Sequence, residues 1–552
     1  MCGIFALIND DATDNTHKAF MLGKGRGPET SNVCHYENVF LGFHRLAING
    51  LNDTSNQPII HNNISLICNG EIYNYRELAT RYNITLNTQS DCEIIAHLYM
   101  KFGIEYTLKL LDGVFAFVLL DRSKYLNKIY VCRDPYGVRP LFMLNGHTDD
   151  NRSVYGFASE LKMLDALSED NISFHIESFE PGTYSVLESS SSGKYNPKHR
   201  KKYINFPTKE IFPENIDYSI YSSFVEAVKK RIVGTTERPV ACLLSGGLDS
   251  SIVAGLVNKF YDGVLETYSI GLAESEDLKY SSIVAAHLKT KHTQIVVTEQ
   301  EFFDAIPEVI KTIESYDTTT IRASVGNYLI GKYIAEHSDA KVIFNGDGAD
   351  ELMGGYLYFH KSPNMNEFDT ECRRLLSDIH YFDVLRSDRC ISSHGLEPRT
   401  PFLDKDWVDF YLSLPKTVRY HPAKAQCEKF LFRHAFHIMD PELIPGGTLW
   451  RKKEAFSDGV SGMARPWFAI IEEKIEFLCK EDKSLLKSLS KNLEKTGSFI
   501  INPPQTLEQS YYRAIYDSHY AGNAHTIPYF WMPKYVDATD SSARTLMVYN
   551  DS

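Results

Sequence analysis

The sequence predicts a two-domain chain of mixed α/β and α+β class. Layered β-sheets with a few helices are expected in the N-terminal part, and a mostly parallel sheet flanked by helices in the C-terminal part. Three observations lead there. The chain has 552 residues, more than one hydrophobic core ordinarily serves. Up to about residue 185 it runs through short β-type segments broken by turn signals. Beyond about residue 210, strand-like apolar runs alternate with helical patterns, the mark of βαβ units.

In the first part, Cys2–Ile8, Ile64–Cys68, Val114–Leu120 and Ile129–Arg133 read as strands, and Cys92–Met100 as a helix. The Ser-rich run 188–193 then passes into a basic stretch, Lys194–Lys202. A linker and a Ser-rich hairpin tip both fit that composition. The boundary is placed there, giving domains 1–205 and 206–552. In the second part Val240–Leu244, Thr267–Ile270 and Lys341–Phe344 read as strands, with helices over Ser250–Lys259 and from about Tyr280 to Lys289. From about residue 370 the pattern is mainly helical. Sheets of this kind bind ligands at the carboxyl ends of their strands.

Hydrophobic residues make up 43% and charged residues 23%, ordinary for a globular chain. The net charge of −13 repels phosphate backbones, which argues against nucleic acid as a partner, though not against ATP in a local site. No apolar run is long enough for a bilayer, and the start lacks the basic region of a signal peptide, so the expectation is a cytoplasmic protein with no membrane contact. The ten cysteines include no CxxC pair and read as reduced core residues. Gly326–Tyr333 nearly matches a Walker A loop, but its last position is Tyr and the segment reads as a helix interior.

Cys2 directly follows Met1. Removal of Met1 would give Cys2 a free α-amine, with a pKa of about 8 beside a thiol of about 8.5. Such an amine can serve as base for its own side chain, freeing a thiolate to attack a carboxamide carbon. Cys2 alone is a weak signal. Its company is MCGI, Arg26-Gly27-Pro28, His44-Arg45-Leu46-Ala47-Ile48, Gln57-Pro58-Ile59, Asn69-Gly70-Glu71-Ile72-Tyr73-Asn74 and Ser90-Asp91-Cys92-Glu93. In that order and spacing these stretches resemble the class II glutamine amidotransferases, which are N-terminal-nucleophile hydrolases of layered αββα fold. The resemblance implies Cys2 as nucleophile, Asn69 and Gly70 as the oxyanion hole, Glu71 and Asp91 on the α-amino group of glutamine, and Arg45 on its α-carboxylate. A planar guanidinium binds a carboxylate bidentately. Two departures stand out: Gly25 where the family usually has His, which implies altered local packing, and Glu29 where Asp is common.

Leu243-Leu244-Ser245-Gly246-Gly247-Leu248-Asp249-Ser250-Ser251 follows a strand and opens a helix. Glycines allow a tight turn, and free N–H groups at a helix start favour an anion. SGGLDSS resembles the PP-loop of ATP pyrophosphatases, which cleave ATP between the α and β phosphates. Thr267–Gly271, Glu314–Arg322, Asn345–Glu351 and Arg451–Gly459 resemble stretches of asparagine synthetases. On that resemblance Leu244, Ser245, Gly246, Gly247, Asp249, Ser250, Ile270, Asn345 and Gly346 bind ATP, and Thr319 and Arg322 contact aspartate. It also implies that Asp277 helps organise metal or pyrophosphate, that Asp249 and Asp350 hold Mg²⁺, and that Lys453 and Asp347 are catalytic. Many of these enzymes carry Glu where Asp347 stands. The resemblance spans nearly the whole chain and thins after about residue 535. It implies glutamine, aspartate and ATP as substrates, ammonia passing inside the protein, and a homodimer. The rival readings are an amidotransferase acting on another carboxylate and a non-catalytic nucleotide or glutamine sensor.

Overall fold

The computed structural model describes the chain except residues 11, 124, 149–151, 171, 423–425, 495–500 and 548–552. Contacts divide it into two units. One comprises Met1–Asn205 with Gly234–Pro239 and Ser392–Glu397; the other holds Phe206–Val233, Val240–Ile391 and Pro398–Ser552.

The first unit is built on two six-stranded sheets. One runs in the order Ile172–Ser178, Phe142–Thr148, Ser153–Ala158, Gly3–Ile8, Val39–Arg45, Thr30–Tyr36. The other runs Tyr195–Lys202, Thr183–Ser189, Lys128–Arg133, Gly113–Asp121, Ile64–Ile72, Ile59–His61. Gly3–Ile8 is buried at every position, which is why it reads as a continuous apolar run rather than an alternating one. Ile4, Ala6 and Ile8 face the second sheet and pack with Val118, Leu120 and Val131. Phe5 points the other way, 6.3 Å from Phe20 of the helix Asp14–Met21. The outer face of the second sheet, with Leu66, Phe117 and Leu119, is covered by Leu78, Ile94, Ile95 and Leu98. These come from the helices Tyr75–Tyr82 and Glu93–Phe102. The layering is helix, sheet, sheet, helix.

The Ser-rich run is a hairpin tip, not a linker. Thr183–Ser189 and Tyr195–Lys202 pair antiparallel, and Ser190 N donates to Lys194 O at 2.7 Å to close the turn. The basic stretch is the outermost strand of its sheet, with all but its first residue exposed. Lysines and arginines on such an edge discourage pairing with other chains.

The second unit carries a five-stranded sheet in the order Lys291–Val297, Glu266–Leu272, Val240–Leu243, Val342–Phe344, Glu397–Arg399. Its first four strands are parallel. The chain winds outward on one side of Val240–Leu243 and then returns to its other side, so the switch point lies between Val240–Leu243 and Val342–Phe344. A ligand crevice belongs there. The helix Leu248–Phe260 starts directly after Gly247. The helix expected from Tyr280 begins earlier, at Glu276, because Ser275 caps it by accepting from Leu278 N at 3.3 Å. Gly326–Tyr333 lies inside the helix Thr318–His337, as expected of a chance Walker match. Among the described residues no helix is long and apolar enough to cross a membrane.

Candidate active sites

In the first unit, pairing of Gly3 with His44 brings Cys2 beside the end of the strand Val39–Arg45. The Cys2 Sγ lies 3.6 Å from Leu46 O, and buried Arg26 donates Nε to the Cys2 carbonyl at 3.0 Å. Burial pushes the thiol up to about 11, with the adjacent terminal ammonium pulling only partly the other way. Met1 is buried too, and its ammonium donates to Leu396 O at 3.2 Å. Burial brings that amine down to about 6. While Met1 is attached, the Cys2 nitrogen is an amide and cannot act as a base. The thiol is then neutral at physiological pH.

The other predicted residues lie in the same unit, each with its own surroundings. Arg45 is held by neutral acceptors: Nη1 donates to Asn52 O at 2.9 Å and Asn56 Oδ1 at 2.7 Å, and Nη2 to Gly50 O. None of these is a carboxylate, so the cation remains suited to an acidic ligand. Asn69 lies in Ile64–Ile72 and is wholly buried, with neither Nδ2 nor Oδ1 partnered among the described residues. Leaving such groups unpaired costs about 1–3 kcal/mol each. At Gly70 a Cβ would fall 2.5 Å from Val114 O, so only glycine fits. Glu71 accepts from Asn49 Nδ2 at 2.9 Å and is one of the charges acting on the Cys2 thiol. Asp91 accepts from Ile72 N at 2.6 Å. The segment from Arg45 to Gly50 therefore touches Cys2 through Leu46 and Glu71 through Asn49. Gly25 has its Cβ direction 3.1 Å from Ser393 O, where backbone occupies the room a larger side chain needs.

His61, Glu93 and His97 also cluster within ligand distance of one another. Both Glu93 oxygens are already engaged, accepting from Asn87 N at 2.8 Å, Thr88 N at 2.7 Å and His97 Nε2 at 3.0 Å. This carboxylate fastens the segment before its helix, and that segment includes Asp91.

In the second unit, a cleft opens at the switch point. Leu244, Ser245, Gly247, Asp249, Ser250, Ile270, Thr319, Asn345, Gly346, Asp347, Asp350 and Lys453 all line it. The Ser245 and Ser250 hydroxyls lie 3.0 Å apart, and Gly247 N donates to Ser245 Oγ at 3.3 Å. No side chain caps the helix that follows, which leaves its first N–H groups for an anion. Gly246 does not line the cleft. It has φ +72°, and a Cβ there would meet Ser281 N at 2.4 Å, so its part is to let the loop turn against the next helix.

Charges in the cleft are paired across long stretches of chain. Lys429 Nζ lies 2.5 Å from both Asp249 Oδ2 and Asp350 Oδ1, and Lys453 Nζ lies 2.5 Å from Asp350 Oδ2. Burial would raise the Asp350 carboxyl, but the two lysines hold it well below the usual range. Asp350 in turn keeps Lys453 protonated against its burial. Asp249 Oδ1 is buried without a hydrogen-bond partner among the described residues, a hard oxygen donor that fits a magnesium-type cation. Asp277 pairs with Arg451 at 3.1 Å, and burial pushes it up to about 6. Asp347 Oδ1 accepts from Arg386 Nη2 at 2.8 Å, while Oδ2 has no partner among the described residues.

Residues 1–191 match the glutamine amidotransferase domain, and residues 219–371 and 362–525 match asparagine synthase. Over 583 aligned residues the chain is 40% identical to the glutamine-hydrolyzing asparagine synthetase of Gallus gallus, with 100% of both chains covered. The chain belongs to the asparagine synthase family. The Homo sapiens protein of the same description is also 40% identical over 583 residues. That of Bos taurus is 41% identical over 580, covering 100% of this chain and 99% of the relative. In this asparagine synthase chain the antiparallel sheets form the amidotransferase part, and the parallel sheet carries the synthase part.

One residue predicted to contact aspartate lies elsewhere in the structure. Arg322 does not reach the cleft. Its Nε and Nη2 bond Glu508, at 2.9 and 2.5 Å, and its Nη1 and Nη2 bond Asp540, both at 2.8 Å. Both forks of the guanidinium are occupied, and it is 2% exposed. Thr319, three residues earlier, does line the cleft, with its Oγ1 buried and unpartnered among the described residues. Sequence reasoning missed Arg386 and Lys429. Both line the cleft, and neither sits in a local pattern that announces it.

Proposed function

We propose that the chain makes asparagine from aspartate, using ATP and ammonia released from glutamine. The observation that carries this reading is the assembly in one cleft of an uncapped helix start behind SGGLDSS, the Asp350–Lys453 pair and the apolar Ile270. A free carboxylate is a poor electrophile. An oxygen of the aspartate side chain attacks the α-phosphorus of ATP, the bond to pyrophosphate breaks, and an acyl-adenylate forms. Lys453 faces the charge that grows in that step. Magnesium, held by Asp249 and Asp350, would neutralise pyrophosphate. Ammonia then attacks the acyl carbon and AMP leaves.

The nitrogen comes from the other unit. Once Met1 is removed, the Cys2 amine takes the thiol proton and the thiolate attacks the glutamine carboxamide. Asn69 Nδ2 and the Gly70 N–H receive the oxyanion, ammonia departs, and water releases glutamate from the thioester. Arg45 takes the α-carboxylate of glutamine, and Glu71 and Asp91 its α-amine. Family resemblance also carries a cytoplasmic location and a homodimer into this reading; light scattering tests the latter.

The deciding experiment measures asparagine and pyrophosphate from aspartate and ATP, with glutamine or ammonia, in the wild type and Cys2→Ala. Cys2→Ala is expected to lose only the glutamine-driven reaction. Absence of asparagine with either nitrogen source would sink the proposal, as would ADP and phosphate in place of AMP and pyrophosphate.

A further inference from the structure

The segment bearing Lys453 has no regular structure. Residues 451–455 belong to neither helix nor strand, so backbone ladders do not fix the ammonium. Arg451 anchors one end on Asp277 at 3.1 Å. The other end is anchored by the tail. Ser542 Oγ donates to Asp458 Oδ1 at 2.6 Å, and Ala543 N to Asp458 Oδ2 at 3.2 Å. Arg544 Nε reaches Glu454 Oε2 at 3.3 Å, its Nη1 reaches Gly462 O at 3.0 Å, and its Nη2 reaches Ser461 O at 3.3 Å. The tail is itself tied down, because Asp540 accepts from both Nη1 and Nη2 of Arg322, on the helix that carries Thr319. Asp540 Oδ1 also accepts from Ser542 N at 2.7 Å.

We propose that Asp540, Ser542 and Arg544 are positioning residues for Lys453, acting through Glu454 and Asp458. This rests on the reading of Lys453 given above. Glu454 is the next residue after Lys453, and Glu454, Phe456 and Ser457 line the cleft. A shift of Glu454 therefore moves the ammonium out of line with Asp350. The geometry also accounts for Arg322, which holds the tail, and through the tail the lysine, without touching substrate.

The test is Arg544→Ala in the full chain, with Lys453→Ala beside it. A misplacement of about 1 Å at a reacting group costs about 10²-fold, so the kcat for ammonia-driven pyrophosphate release is expected to fall about 100-fold. KM for ATP and aspartate should stay within about threefold, since the lysine acts mainly on transition-state charge. Trypsin should cut after residues 451–453 faster than in the wild type, and glutamine hydrolysis should not change. Pyrophosphate release within twofold of wild type would overturn the proposal. Should Arg544→Ala fail to bind ATP at all, Ser542→Ala, which removes the Oγ bonds to Asp458 Oδ1 and from Arg544 N, decides by the same kcat and proteolysis measurements. If Lys453→Ala retains synthesis, the reading of Lys453 falls. If Lys453→Ala is inactive while Arg544→Ala is normal, only the role of the tail falls.

Discussion

Asn69→Ala separates a catalytic amide from a structural one, because the two roles predict opposite outcomes. Asn69 is fully buried and neither of its amide atoms has a partner among the described residues. Unpaired buried polar groups cost about 1–3 kcal/mol each, so removing the amide relieves a penalty. Truncation also leaves a small cavity, which costs about 24 cal/mol per Å³. The two effects offset, and folding stability is expected within about 1 kcal/mol of wild type. Activity should behave differently. Loss of one oxyanion donor costs about 10²–10³ in kcat, or about 2.7–4 kcal/mol. The assay is glutamate release from glutamine, with ammonia-driven asparagine formation as the internal control and a urea melt for stability. Glutamine hydrolysis should fall by that factor while the ammonia reaction is untouched. A variant more than 2 kcal/mol less stable, whose glutaminase falls less than tenfold, would make Asn69 an ordinary core amide and refute the reasoning.

Arg322→Ala leaves Glu508 and Asp540 without their shared cation; breaking a buried pair costs about 3–5 kcal/mol, so a marked drop in Tm is expected, with the aspartate KM of the folded variant within about twofold of wild type. Gly246→Ala places a Cβ 2.4 Å from Ser281 N at φ +72°, and should reduce ATP-dependent pyrophosphate release more than tenfold while glutamine hydrolysis is retained. Glu93 is held at about 2, below its ordinary 4.5, because bonds from His97, Asn87 and Thr88 outweigh the effect of burial. A carboxyl depressed in the folded state contributes stability above about pH 4.5 that disappears as pH falls toward 2, so the Tm difference between wild type and Glu93→Gln should shrink across that window.

Much of this was legible in the sequence. Gly3–Ile8 and Val240–Leu243 are apolar throughout because both faces of each strand are covered, and an uninterrupted run of that length reads as a strand. Residues close to one another in the chain stay together in the fold: Asn69, Gly70 and Glu71 share one strand, and Ser245, Asp249 and Ser250 line one cleft. The failures share a physical cause. The Ser-rich run at 188–193 has the same composition in a linker and in a hairpin tip, and only the pairing of its flanks distinguishes them. Arg322 sits inside a substrate-like motif, yet its partners Glu508 and Asp540 lie 186 and 218 residues away. Lys429 meets Asp249 across 180 residues. Long-range charge pairing has no local pattern from which it can be read.

Asp347 is the departure that the family resemblance leaves open, since an Asp carboxylate reaches one methylene less far than a Glu. In the fold its reach is fixed by a partner. Arg386, buried and also 3.5 Å from Asp383, holds Asp347 Oδ1 at 2.8 Å and leaves Oδ2 without a partner among the described residues. Burial raises this carboxyl above the usual carboxylate range, and Arg386 opposes part of the rise. Asp347→Glu keeps the charge but adds one methylene where the carboxylate is already buried beside Arg386, so stability should fall by about 1–3 kcal/mol, as for an overfilled site. The added methylene moves the carboxylate relative to Arg386, and a group mispositioned by about 1 Å costs about 10²-fold. The expected result is a fall of tenfold or more in asparagine formation with aspartate-dependent pyrophosphate release less affected, because the first step does not need a carboxylate to position ammonia. Equal loss of both would place Asp347 in the adenylation step instead. Unchanged rates would mean that Arg386 alone orients the reacting groups and that the length of residue 347 does not matter.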